Sequence, residues 1–199
     1  MRRSRSTTTI PCSRHVRHRR GAGWVSEAAG LDQLIAGVRK LEQAGSECIV
    51  IPCMTVHYFY HDMQKAVRIP ILHMVEEIVK RVQAARITKV GLLTSESSQR
   101  LRLYESALHA HGIQALHVSQ TQQQALNEII FQVMKGVQGP LDTACLKSVI
   151  ADLCAQGAES IIIGCTELPL AITQKDVAVP LLDSLQIMAE VSLSHSLKN

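Results

Sequence analysis

Gly45-Ser-Glu-Cys-Ile-Val-Ile-Pro-Cys53 and Gly157-Ala-Glu-Ser-Ile-Ile-Ile-Gly-Cys165 are two copies of one pattern. Each opens on a turn glycine and runs through β-branched apolar residues, the filling of a parallel strand buried on both faces. Each ends on a cysteine just past the strand. In open α/β sheets ligands bind beyond the carboxyl ends of the strands, so these two thiols are the first candidates for chemistry.

The likeness extends outward from both copies. Leu34, Val38 and Leu41 match Leu146, Ile150 and Leu153 at helical spacing. Downstream, Ile69-Pro-Ile-Leu-His73 resembles Val179-Pro-Leu-Leu-Asp183. A duplicated half related by a pseudo-two-fold axis would bring the two strand ends together and turn Cys53 and Cys165 toward one another across a cleft. Periodicity and breakers predict helices over residues 26–44, 57–68, 72–84, 100–111, 126–135, 141–155 and 185–193. Strands are predicted over 47–51, 89–94, 113–118 and 161–163. This alternation argues for an α/β fold with parallel sheets.

The chain has 199 residues, of which 46% are apolar and 3% aromatic, so aliphatic packing must supply most of its core. Its formal net charge of +4 comes from the first 20 residues, which hold seven arginines and no acid. That tail shows no strand or helix period and reads as a disordered or mis-started N-terminus. Nucleic-acid arms and transit peptides share such a composition. Neither an apolar helical face nor interleaved aromatics support those uses, and no nucleic-acid partner is expected. No apolar run approaches the roughly 20 residues of a bilayer span, and there is no signal-peptide hydrophobic segment. The expectation is a soluble cytoplasmic protein without a membrane partner.

Of the six cysteines, Cys12 falls in the tail, while Cys48, Cys145 and Cys154 fall inside predicted elements, where a thiol behaves as a small hydrophobe. Cys53, His57 and His61 would share a helical face, but no fourth ligand accompanies them and no metal site is expected. His57 could assist Cys53 or simply pack. Ser95 and Ser98 could cap the helix that follows, and Lys135 could complement a helix C-terminus.

Two thiols facing each other across a substrate can relay protons, one as thiolate taking a proton from carbon and the other as thiol delivering one to the opposite face. The carbon is inverted without a cofactor. Hydroxyl and N–H donors must then stabilise the neighbouring carboxylate, and Thr55, Ser95, Ser98 and Thr166 sit on strand-end loops suited to that task.

These residues also resemble a known family. Pro52-Cys-Met-Thr-Val-His57 resembles the PCNTAH motif of the aspartate/glutamate racemases, and Gly164-Cys-Thr-Glu-Leu-Pro169 resembles their GCTEL segment. Gly91-Leu-Leu-Thr-Ser-Glu-Ser-Ser98 with Tyr104 is similar to the family's GLLAT-x-x-T loop and following tyrosine, and residues 20–24 are loosely similar to its arginine-glycine-tryptophan segment. The resemblance implies two pseudo-symmetric parallel-sheet lobes with the active site in the cleft between them. It divides the chain into an atypical tail (1–20), a first, truncated lobe (21–72 plus 182–199) and a second lobe (73–181).

The implied activity is racemisation of aspartate or glutamate, with no cofactor and by a dimeric enzyme. Cys53 and Cys165 would be the acid/base pair. Thr55, Ser95, Ser98 and Thr166 would hold the α-carboxylate, Glu167 would orient Cys165 or the substrate amine, and Lys135 would meet the side-chain carboxylate. Met54 stands where the motif carries asparagine, and the family's opening strand and Gly-Gly-Met turn have no counterpart here. An inactive relative that binds an amino acid or small dicarboxylate is therefore a second expectation. A related racemase, isomerase or decarboxylase on the same scaffold is a third.

Overall fold

The computed structural model describes residues 27–137 and 139–198. The arginine-rich tail, Cys12 and the 20–24 segment lie outside the described residues. Four strands, β1 (Lys89–Leu93), β2 (Gln114–His117), β3 (Ser160–Ile163) and β4 (Leu181–Asp183), form one parallel sheet in the order β2-β1-β3-β4. Gly91 pairs with Leu116 on one side and Ile161 on the other, and Ile162 pairs with Leu182. The helices are α1 (Glu27–Gln43), α2 (Tyr60–Lys65), α3 (Met74–Ala84), α4 (Glu96–Arg100), α5 (Glu105–Ala110), α6 (Gln120–Met134), α7 (Pro140–Ala155) and α8 (Ser184–Lys198).

The three isoleucines of β3 divide between two layers. Ile161 and Ile163 pack with Leu126 and Ile129 of α6 and with Leu146, Ile150 and Leu153 of α7. Ile162 packs with Val75 and Ile78 of α3, Leu108 of α5, and Ile187 and Met188 of α8. A strand covered on both faces has no polar side to show, which is why its sequence is apolar without alternation. A third cluster, Val38, Leu41, Ile49, Ile51, Met63, Val67 and Ile71, forms the core of the first lobe. Val50, between two members of that cluster, joins the α3/α8 layer instead.

The duplication is written in the hydrogen bonds. Gly45 and Gly157 both adopt the left-handed region, at φ 85° and 96°. Ser46 N–H bonds to the Leu41 carbonyl at 3.1 Å, and Ala158 N–H to that of Leu153 at 3.0 Å, so α1 and α7 close with the same six-residue cap. Ile49 N–H and Ile161 N–H each donate to the carbonyl of a proline, Pro70 and Pro180, at 2.9 Å. Gln64 donates to the Val67 and Ile69 carbonyls and accepts from Ile71 N–H at 2.8 Å. Gln174 does the same with Val177, Val179 and Leu181, again accepting at 2.8 Å. His73 then caps α3 by accepting from Glu76 N–H, and Asp183 accepts from Leu185 N–H at the start of α8. The two helices that follow the copies, α3 and α8, pack on each other, with Arg81 donating to Glu190 at 2.6 Å.

Several elements depart from the sequence expectation. The strand expected over 47–51 is reduced to bridge residues, with Ile49 pairing in parallel with Ile71. Pro70, beside it, has no N–H with which to lengthen the ladder. The helix expected over 100–111 is two helices, broken at Arg102, whose φ is 50°. The turn between them delivers Tyr104 into the core at 1% exposure. Residues 54–59 form a 3-10 helix, so the helix expected over 57–68 is α-helical only from Tyr60 to Lys65, and α6 begins at Gln120 because Ser119 and Gln122 make a reciprocal capping box. Leu181–Asp183, not expected as a strand, is the sheet's β4 edge. No described helix is long and apolar enough to cross a membrane.

Candidate functional site

The chain leaves β1 toward β2 on one side and later returns to β3 on the other, so the order reverses between β1 and β3. A crevice opens at such a switch point, beyond the strands' carboxyl ends. Thr94 and Ser95 follow β1, and Gly164 and Cys165 follow β3. Gly164 N–H donates to the Leu93 carbonyl at 2.9 Å, which holds the two loops side by side. Gln123 of α6, itself buried, donates to the Thr94 carbonyl at 2.9 Å and fixes the β1 loop from behind.

Two polar groupings occupy this end of the sheet. In the first, Ser95 caps α4 by accepting from Ser98 N–H at 3.3 Å, and its hydroxyl lies 3.1 Å from that of Ser98. The Ser98 oxygen lies 3.4 Å from Thr55 Oγ1. Thr55 belongs to the 3-10 helix that follows Cys53, so this chain of hydroxyls ties the first copy to the β1 loop. Cys53, in extended conformation, precedes the 3-10 helix and packs against the first-lobe cluster.

In the second grouping, Cys165 Sγ donates to Glu167 Oε2 at 3.0 Å, and Thr166 Oγ1 donates to the same oxygen at 2.7 Å. Burial pushes the Cys165 thiol well above the ordinary range, and the Glu167 charge and hydrogen bond push it in the same direction. The thiol is thus held protonated at neutral pH, with a carboxylate in reach to receive its proton.

The repeat is broken here. In register with Cys53 and Cys165, Met54 stands opposite Thr166 and Thr55 opposite Glu167. Met54 is 5% exposed and packs among Val50, Met74 and Tyr104, so its side chain lies in the apolar core.

Thr55, Ser95 and Ser98 are therefore brought together, as are Cys165, Thr166 and Glu167. Lys135 lies on the exposed end of α6, its ammonium 4.0 Å above the Phe131 ring. His57 donates from Nε2 to the Ile51 carbonyl at 3.1 Å. Burial lowers its pKa to about 4, against the raising effect of that bond and with a further lowering by His73. It is a neutral brace for the strand-end loop. Gln123 gave no signal in the sequence, because a glutamine at a core position of a helix looks like any surface glutamine. Among the described residues, no group of three or more His, Cys, Asp or Glu side chains could hold a metal ion.

A family model described as Asp/Glu/Hydantoin racemase matches residues 14–191. The broad specificity amino-acid racemase RacX of Bacillus subtilis (strain 168) is 30% identical over 161 residues, which span 81% of this chain and 70% of that protein. An aspartate racemase homologue from Pyrococcus horikoshii OT3 superposes with a TM-score of 0.76 at 28% identity, covering 86% of this chain and 76% of that one. The glutamate racemase of Francisella tularensis subsp. tularensis SCHU S4, in complex with D-glutamate, shares the fold with a TM-score of 0.67 at 19% identity, over 95% of this chain and 68% of that one.

Proposed function

The chain belongs to the Asp/Glu/Hydantoin racemase family, and from that premise we propose that it racemises an acidic amino acid, aspartate or glutamate, by passing protons between Cys53 and Cys165 without a cofactor. The observation that carries this reading is the repetition of local structure around the two thiols, each set at the end of an equivalent apolar segment behind the same glycine cap. Cys53 as thiolate takes the proton from Cα, and Cys165 delivers its own proton to the opposite face. That delivery leaves Cys165 as thiolate and Cys53 as thiol, the state that takes the proton from the other enantiomer, and Glu167 Oε2 is the group through which the Cys165 sulfur exchanges its proton between turnovers. The hydroxyls of Thr55, Ser95, Ser98 and Thr166 receive the α-carboxylate as negative charge builds beside it. Lys135 is assigned to the side-chain carboxylate.

The test is deuterium incorporation at Cα of aspartate and glutamate in D2O by the purified chain with no cofactor added. The wild type is expected to exchange, and Cys53→Ala and Cys165→Ala are each expected to lose racemisation by at least about a thousandfold, as for loss of an acid or base held in place. Turnover retained in either variant would remove the two-thiol relay. A panel that includes hydantoins and dicarboxylic acids separates acidic amino acids from other substrates of the same scaffold.

One feature favours a second reading, an inactive relative that binds an amino acid. The Met54 side chain is buried in the apolar core, where it offers no donor to a carboxylate. Thermal stabilisation by aspartate or glutamate without any exchange would establish that reading instead.

A further inference from the structure

Tyr104 is 1% exposed, and its hydroxyl has no hydrogen-bond partner among the described residues. Such a group normally finds one, because leaving it unmade costs the full desolvation of the hydroxyl. The oxygen lies beside the backbone that carries Cys165. A Cβ placed on Gly164 would meet it at 2.6 Å and the ring at 3.1 Å, so glycine there is what lets the phenol approach. The matching residue in the first copy is Pro52, which carries a side chain where Gly164 has none.

We propose that the Tyr104 hydroxyl is held for the Cys165 thiolate, donating to the sulfur once the thiol has given up its proton, and that Tyr104 is thereby a positioning residue for one of the two proton-transfer groups. This rests on the reading of Cys165 as such a group. In the thiol state the sulfur's proton points to Glu167. When that proton leaves, the sulfur becomes an acceptor in a buried place, where the Glu167 and Thr166 backbone N–H groups favour the anion and a further donor stabilises it more. When the proton has gone to Cα, the Glu167 carboxylate has none to donate and cannot serve. Tyr104 can, because burial foremost and the Cys165 sulfur after it keep the phenol protonated. A hydrogen bond to an anion is about twice as strong as one between neutral groups, so it forms where it lowers the barrier to ionising the thiol.

The experiment is peptide-resolved alkylation of Cys165 by iodoacetamide across the alkaline pH range, in wild type and Tyr104→Phe. It reads the thiolate directly and needs no turnover, so its outcome is separate from whether the chain racemises anything. Tyr104→Phe removes no hydrogen bond and is expected to fold with an unchanged or higher Tm. Alkylation of Cys165 is expected to slow about tenfold at each pH below the thiol's midpoint, equivalent to a rise of about one unit in its pKa, while the rate at Cys145 on α7 stays the same. An unchanged rate at Cys165 would overturn the proposal. So would a faster one, which reports looser packing around the sulfur and no lost donor.

Discussion

His57 donates from Nε2 to the Ile51 carbonyl, so an added proton must go to Nδ1, which is buried and has no partner among the described residues. Its pKa when folded is about 4, against 6.5 for the free side chain. The folded state therefore binds that proton less readily than the unfolded one. The stability it contributes is fully present above pH 6.5 and is lost as pH falls through about 4. The loss amounts to about 3 kcal/mol if nothing relaxes. Urea denaturation at several pH values across this window is expected to show a falling midpoint in the wild type and a flatter profile in His57→Gln, which cannot take up the proton. Equal slopes would mean that the ring is not held neutral. The sequence left His57 open between assisting Cys53 and packing. The structure places it in a brace because position 57 falls on a 3-10 turn that points the ring back at the strand end, and turn type is not visible in residue spacing.

Among elements, the two glutamine clasps join each half's helical segment to its proline-containing edge. Gln64 and Gln174 each make three bonds to an extended backbone that would otherwise lack partners. Gln174→Ala and Gln64→Ala are each expected to lower folding stability by about 1–3 kcal/mol, with nearly additive effects in the double variant because the two clasps share no hydrogen-bond partner. Equilibrium denaturation measures both quantities. A glutamine five residues ahead of Ile69-Pro70 and of Val179-Pro180 is present in the sequence as part of the repeat. Periodicity could not show its role, since a clasp depends on where one side chain folds back and leaves no spacing signal. The apolar run Ile161–Ile163 was legible because burial on both faces writes itself into composition. The short β4 edge was not, since three residues after a proline carry no period. The break at 101–104 was equally hidden, because Arg102 adopts its left-handed φ without a glycine to announce it.

For the whole molecule, alternation of helix and strand led to the parallel sheet, and the repeated frame led to the paired halves. What the frame did not convey is how α3 and α8 close on each other, a contact made between residues distant in the chain. The repeat is also imperfect where it matters, with Glu167 beside one thiol and Thr55 in register beside the other. An amino acid and its mirror image have the same free energy in water. For a racemase, kcat/KM must consequently be identical for the two enantiomers, whatever the protein does. Unequal neighbours of the two sulfurs can then show only as kcat and KM rising by one common factor for one hand of substrate, and progress curves begun from each pure enantiomer measure that factor. Replacing Glu167 with Gln is expected to change it, since the mutation alters the hydrogen bonds that Cys165 and Thr166 make to that side chain. On the proposed relay, the departure from two-fold symmetry becomes a kinetic bias toward one hand at saturation, imposed on a reaction whose equilibrium has none.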